Sequence, residues 1–326
     1  MFTPIILVLL ALASAAPGPE RQTLTIYAYD SFAGKHGLAE KVRPLFEKEG
    51  RHLVVVSFGS AGEAINQVKL EGEKTRADLV VGVDNSLLPE VRRMVHFGPV
   101  PMKNLPTGLK VPAQKDWVPF DYGYPALVYD SRQFQPRPGV SLATLGQDKR
   151  LRKKIALLDP RSSSLGRLFL LWTATAMGDR FGAYWKGMAK SVKTYSPGWS
   201  GGYSLFTQGE VLMTLSYTTS PAYHIAQENN DAIHAVVFPE GHVRQEEGVV
   251  AVRYSPRRGL IQKFLATLLS KEIQEAVPLT NYMYPVLQSA EWPAAFKGLP
   301  AEPKALELST VDGGKWIREW EAIATQ

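Results

Sequence analysis

Cysteine is absent from the 326 residues. That excludes disulfides, thiolate metal sites and a cysteine nucleophile. Histidine is sparse, with six residues scattered at 36, 52, 96, 224, 234 and 242. No H-E-x-x-H or P-loop pattern occurs, and the serine-rich loops have no evident base beside them. These gaps favour a protein that is not an enzyme. Beyond the N-terminus no apolar run is long enough to span a bilayer. The formal charge of +6 is dispersed, and the one basic cluster, at 149–154, has no interleaved aromatics. Such a cluster reads as a solvated face, so nucleic acid is excluded as a partner.

What is present describes an exported globular protein. Hydrophobic residues make up 45% and charged residues 21%, and the length suffices for two domains. Residues 5–12 form a short apolar core, followed by Ala13-Ser14-Ala15, a small-x-small pattern. Residues 1–15 are therefore expected to be a cleaved signal peptide. With no cysteine after the apolar core, a soluble periplasmic product is expected, not a lipoprotein.

The chain then alternates. Strands are expected near 25–29, 53–56 and 78–83, each followed by a helical pattern. An irregular aromatic stretch at 116–124 breaks the pattern, and residues around 118–125 read as a crossover into a second domain. The alternation resumes with strands near 126–129, 155–158, 211–216 and 233–238. Strands alternating with helices imply an α/β architecture, here two-lobed with a ligand cleft between the lobes. The expected boundaries are 21–118 with 249–326 for a discontinuous first lobe, and 119–248 for the second.

Polar loops fall where expected strands end, the edge at which open α/β sheets bind ligands. The fullest is Tyr217-Thr218-Thr219-Ser220-Pro221-Ala222-Tyr223. There Ser220 reads as a helix cap and Pro221 as the first helical residue. Tyr29-Asp30-Ser31 ends the first strand, Gly59-Ser60-Ala61-Gly62 the second, and Ser162-Ser163-Ser164 precedes a helix. Pro197 to Tyr203 reads as a glycine-flanked loop carrying Trp199. Singly each is ordinary punctuation; together they describe aromatics, hydroxyls and the carboxylates Asp30 and Asp84. Such a set suits a flat organic cation.

Several stretches occur in a family order: Tyr27 to Phe32, Ala77 to Asn85, Val118-Pro119-Phe120-Asp121-Tyr122-Gly123-Tyr124, Asp159 to Ser163, Gly198-Trp199-Ser200, Ser216 to His224 and Asn281 to Val286. In these the chain resembles the periplasmic thiamine-binding proteins of bacterial ABC transporters, from about 24 to 320. The resemblance implies a type II periplasmic-binding fold, capture of thiamine, thiamine phosphate or thiamine diphosphate, delivery to a membrane permease, a monomer, and no cofactor. It implies ligand contacts at Ser163, Ser164, Trp199, Tyr217, Thr218, Thr219 and Ser220, and at Ser60 and Ala61. Tyr29, Asp30 and Tyr223 would stand beside them. The chain departs from the family where Ser60-Ala61 replaces Asp-Gly and His36 replaces tryptophan, leaving a less acidic, less aromatic pocket. The alternative is a binder of ferric ion or an organophosphonate. Ferric binders of this fold use adjacent tyrosines, and no Tyr-Tyr pair occurs here. A thiamine-degrading enzyme of related fold needs the cysteine that this chain lacks.

Overall fold

The alternation of strand and helix builds two separate sheets. The computed structural model describes residues 22–309 and 312–324, so the expected signal peptide lies outside the described residues. The strands are β1 (Gln22–Tyr29), β2 (Arg51–Phe58), β3 (Leu79–Asp84), β4 (Phe97–Gly98), β5 (Val118–Gly123), β6 (Pro125–Asp130), β7 (Ile155–Leu158), β8 (Val192–Ser196), β9 (Met213–Tyr217), β10 (Ile233–Ala235), β11 (Gln245–Val252) and β12 (Tyr284–Pro285).

The first sheet runs β12-β5-β11-β3-β1-β2, with β4 also on β11. β1 lies parallel to β2 and β3, while β11 is antiparallel to both β3 and β5. Every residue of β3 is buried, as expected of an interior strand covered on both sides. The second sheet runs β10-β6-β9-β7-β8, with β7 parallel to β8 and β9. Its core centres on the helix Ser164–Met177, whose buried side chains occupy all sides, the mark of an internal helix.

One residue, Tyr124, separates β5 from β6. The chain leaves the first sheet at its carboxyl edge and enters the second with Pro125 paired to Tyr217, the last residue of β9. The carboxyl edges of the two sheets therefore face each other, and the strand-end loops meet between them.

The lobes are composed differently from the sequence expectation. β5 and the start of β11 belong to the first sheet, although 119–248 reads as second lobe. The helix Gly313–Ala324 packs on Ser164–Met177 and Phe181–Met188 of the second lobe, although everything after 249 reads as first lobe. Its Trp320 is fully buried, 6.2 Å from Trp185 and 5.0 Å from Tyr195 between ring centres. An amphipathic stripe says that a helix needs a core, not which core. Trp320→Ala should accordingly lower stability by about 3–5 kcal/mol, the usual result of emptying a buried tryptophan site. Urea unfolding measures this, and a loss below about 1 kcal/mol would detach the helix from the second core.

Candidate functional site

On the first lobe, Tyr29 closes β1 and lays its ring over Gly82. A Cβ at Gly82 would sit 2.3 Å from the Tyr29 ring, and the residue's φ of +94° also suits only glycine. Asp30 opens the helix Asp30–Ala33, where its carboxylate accepts the Ser31 N–H at 2.7 Å. Ser60 caps the helix Ala61–Glu71 by accepting the Glu63 N–H at 3.2 Å. It also donates across the cleft to the carbonyl of Ser162 at 2.6 Å. Ala61 is buried behind it. The lobes touch here: a Cβ on Gly198 would lie 2.9 Å from the carbonyl oxygen of Gly59.

On the second lobe, Ser163 caps Ser164–Met177 by accepting the Gly166 N–H at 3.1 Å. Ser163 and Ser164 line a cavity of about 80 Å³ between the lobes, with Asn66, Glu90, Arg161 and Arg167 also on its wall. Arg167 bridges the lobes to Glu90 at 2.8 Å. Ser220 is not on that wall, so the structure does not bring it to the serine pair.

Two sequence expectations are corrected. Ser220 has helical backbone angles and makes no side-chain cap. Its Oγ instead accepts the Tyr217 N–H at 3.2 Å and pairs with Ser216 Oγ at 2.6 Å, bracing the strand end; Pro221 does open the helix Pro221–Glu228. Trp199 does not sit in a loop but begins the helix Trp199–Thr207. Its glycines argue against helix, yet Trp199, Tyr203 and Phe206 recur at helical spacing, and burial of that face overrides propensity. The Trp199 ring stacks on Tyr203 at 4.6 Å and donates its N–H to Ser216 Oγ at 2.9 Å. Tyr223 meets Tyr282 edge-to-face at 4.9 Å. Thr218 and Thr219 are buried; the Thr219 hydroxyl has no hydrogen-bond partner, and the Thr218 hydroxyl lies beside that of Tyr284.

Sequence reasoning missed the polar layer beneath these rings. Tyr29 donates to Glu247 at 2.8 Å, and Asn281 donates to both Tyr29 and Asp121. Tyr217 donates to Gln245 at 2.6 Å, and Gln245 donates on to Asp84 at 2.6 Å. The available signal was Asp121, a carboxylate in the otherwise largely apolar β5; Glu247 follows Gln245 and Glu246 at the polar start of β11 and carries no such signal. Burial pushes the Asp121 and Glu247 carboxyls up; the neighbouring Glu247 charge adds to this at Asp121, and Glu247 itself reaches about 8. Asp84 is raised less, because Ser86, Gln245 and backbone N–H groups bond to it. The Tyr29 and Tyr217 hydroxyls are raised by burial and by these carboxyls.

A stability prediction follows with its sign. The folded chain keeps Glu247 protonated up to about pH 8, whereas the unfolded chain ionises it near 4.5. Between these values the native state holds the extra proton, so stability falls as pH rises and the loss is complete above the folded value. The ligand-free protein should lose on the order of a few kcal/mol across that window. Glu247→Gln should flatten the decline in urea-unfolding series; an unchanged slope would show that Glu247 does not cause it.

Residues 24–278 match the family described as bacterial extracellular solute-binding protein. The thiamine-binding periplasmic protein of Brucella suis biovar 1 (strain 1330) is 40% identical, covering 98% of this chain and 97% of its own. That of Escherichia coli (strain K12) is 36% identical, covering 97% and 98%. A solved periplasmic thiamin binding protein superposes with a TM-score of 0.87 at 35% identity, covering 95% of this chain and 98% of that one. The ferric binding protein from Campylobacter jejuni gives 0.75 at 18% identity, covering 93% and 98%, and so shares the fold alone. The two-lobed α/β architecture is thus that of periplasmic binding proteins, and the chain belongs to the bacterial extracellular solute-binding protein family.

Proposed function

We propose that this chain captures thiamine and its phosphate esters in the periplasm and hands them, chemically unchanged, to an ABC-type permease. One observation carries the reading. Facing carboxyl edges gather Tyr29, Trp199, Tyr217 and Tyr223 with hydroxyl loops, in a chain 36–40% identical over nearly its whole length to proteins named for thiamine binding. Flat rings and a fixed positive charge suit aromatic faces through stacking and cation–π attraction. Among the described residues the buried Thr219 hydroxyl has no protein partner, and a ligand's polar atom would satisfy it.

The phosphate end belongs with Ser60, Ala61, Ser163 and Ser164, at two helix starts that meet across the cleft. Helix N-termini favour negative charge. The Ser163 oxygen accepts a capping bond while its O–H stays available to donate. Asp30 stands at the rim as a minor partner, and Ser220 supports Tyr217 from behind. In this reading the signal peptide at 1–15 is removed, and the mature chain acts as a soluble monomer without a lipid anchor. Among the described residues no helix is long and apolar enough to cross a membrane.

Calorimetry should show one thiamine bound per chain with no product formed; no heat with any thiamine form would end the reading. Binding should quench tryptophan fluorescence, and Trp199→Ala should weaken it by about 1–3 kcal/mol. Unchanged affinity in that variant would leave Trp199 a packing residue. Ser163→Ala combined with Ser164→Ala should weaken thiamine phosphate by about 1.5–3 kcal/mol more than thiamine. Equal losses for the two ligands would move the phosphate elsewhere.

A further inference from the structure

Three carboxylates stand in a row across the first sheet. Glu247 on β11 pairs in register with Asp84 on β3 at one side and with Asp121 on β5 at the other. Directly opposed residues share a face, with Cβ atoms about 4.5–5.5 Å apart. Asp84 and Asp121 are fully buried and Glu247 is 7% exposed. Among the described residues, the side chains bonded to the row are all neutral: Tyr29 from β1, Ser86 after β3, Gln245 from β11, which also holds Tyr217 from β9, and Asn281 after the helix Lys271–Thr280. Among the described residues, no lysine, arginine or histidine bonds to any of the three. Three like charges cannot all be ionised in a dry site without a counter-charge.

A second observation points outward. Asp121 Oδ1 is buried and has no hydrogen-bond partner, a costly state for a carboxyl oxygen. Two strand-end tyrosines, one from each lobe, connect to the row: Tyr29 donates directly to Glu247, and Tyr217 reaches Asp84 through Gln245. Charge on the row is therefore felt at the Tyr29 and Tyr217 hydroxyls.

We propose that the Asp84–Glu247–Asp121 row is the charge sensor of the cleft: it holds a proton in the empty protein and releases it to water when an organic cation settles against Tyr29 and Tyr217. The assignment rests on the reading above that an aromatic cation is the ligand. Only a carboxyl O–H breaks; the ligand's fixed positive charge replaces the proton as the counter-charge of the row. Cation capture then selects against neutral rings of the same shape and becomes tighter as pH rises. The gain ends where Glu247 is already ionised without ligand, near about 8.

The test is calorimetry of thiamine binding to the full chain between about pH 6 and 8, in pairs of buffers that differ in ionisation enthalpy. Buffer-dependent heats should report release of up to roughly one proton, with Kd falling by up to about tenfold per pH unit. Glu247→Gln and Asp121→Asn should each reduce the proton count and flatten the pH profile. Should either variant fail to fold, the wild-type proton count decides alone. Binding with no buffer-dependent heat and a pH-independent Kd overturns the proposal and leaves the thiamine reading standing. Proton release that survives both substitutions overturns it as well. Absence of thiamine binding at every pH sinks both readings together.

Discussion

The single-residue passage from β5 to β6 through Tyr124 is the constraint from which the site follows. Because β11 is antiparallel to both β3 and β5, those two strands run the same way as β1. The carboxyl ends of all three therefore lie on one edge. A chain leaving β5 at that edge has no length in which to turn away. It enters β6 beside the end of β9, and the Thr218 N–H closes the corner on the Tyr124 carbonyl at 2.9 Å. Loops far apart in sequence become neighbours, as the bond from Ser60 to Ser162 records. Cleft-facing aromatics and hydroxyls need no further organising element.

The same crossover strands carry the buried acids. β5 supplies Asp121 and the start of β11 supplies Gln245 and Glu247, so the polar layer lies at the junction of the lobes. Tyr217 reaches it from the second lobe through Gln245, while Tyr29 reaches it from the first through Glu247 and Asn281. Hydrogen bonds of this kind each contribute only about 1 kcal/mol net, yet leaving one partner buried and unpaired costs more. Relative movement of the lobes must keep the Tyr217–Gln245 bond or replace it with water.

The serines show how one hydroxyl serves two purposes. Ser60 and Ser163 accept capping N–H bonds, which hold their helix starts in place and leave each O–H free to donate. Ser60 uses that donor on Ser162 of the other lobe. Ser216 and Ser220 instead brace each other beneath Trp199, setting the height of the indole through its N–H. Helix termination and ring placement thus account for the local geometry before any ligand contact is considered.

The amino-acid sequence alone determined the alternation of strands and helices, the crossover near 118–125, and the loops with Tyr29, Ser60, Ser163 and Tyr217 at strand ends. Those features depend on residue periodicity and on start and stop signals, which act over a few neighbouring positions. Only the tertiary structure decided that β11 inserts between β3 and β5, that the C-terminal helix returns to the second lobe, and that Trp199 starts a helix. It also decided that Asp84, Asp121 and Glu247 share a row. Strand pairing over more than a hundred residues is chosen by which apolar faces bury best against each other, and no local pattern records that choice. An acid in a strand, such as Asp121, reads alike in sequence whether it meets water, a lysine or two further acids; the register of its neighbours decides which.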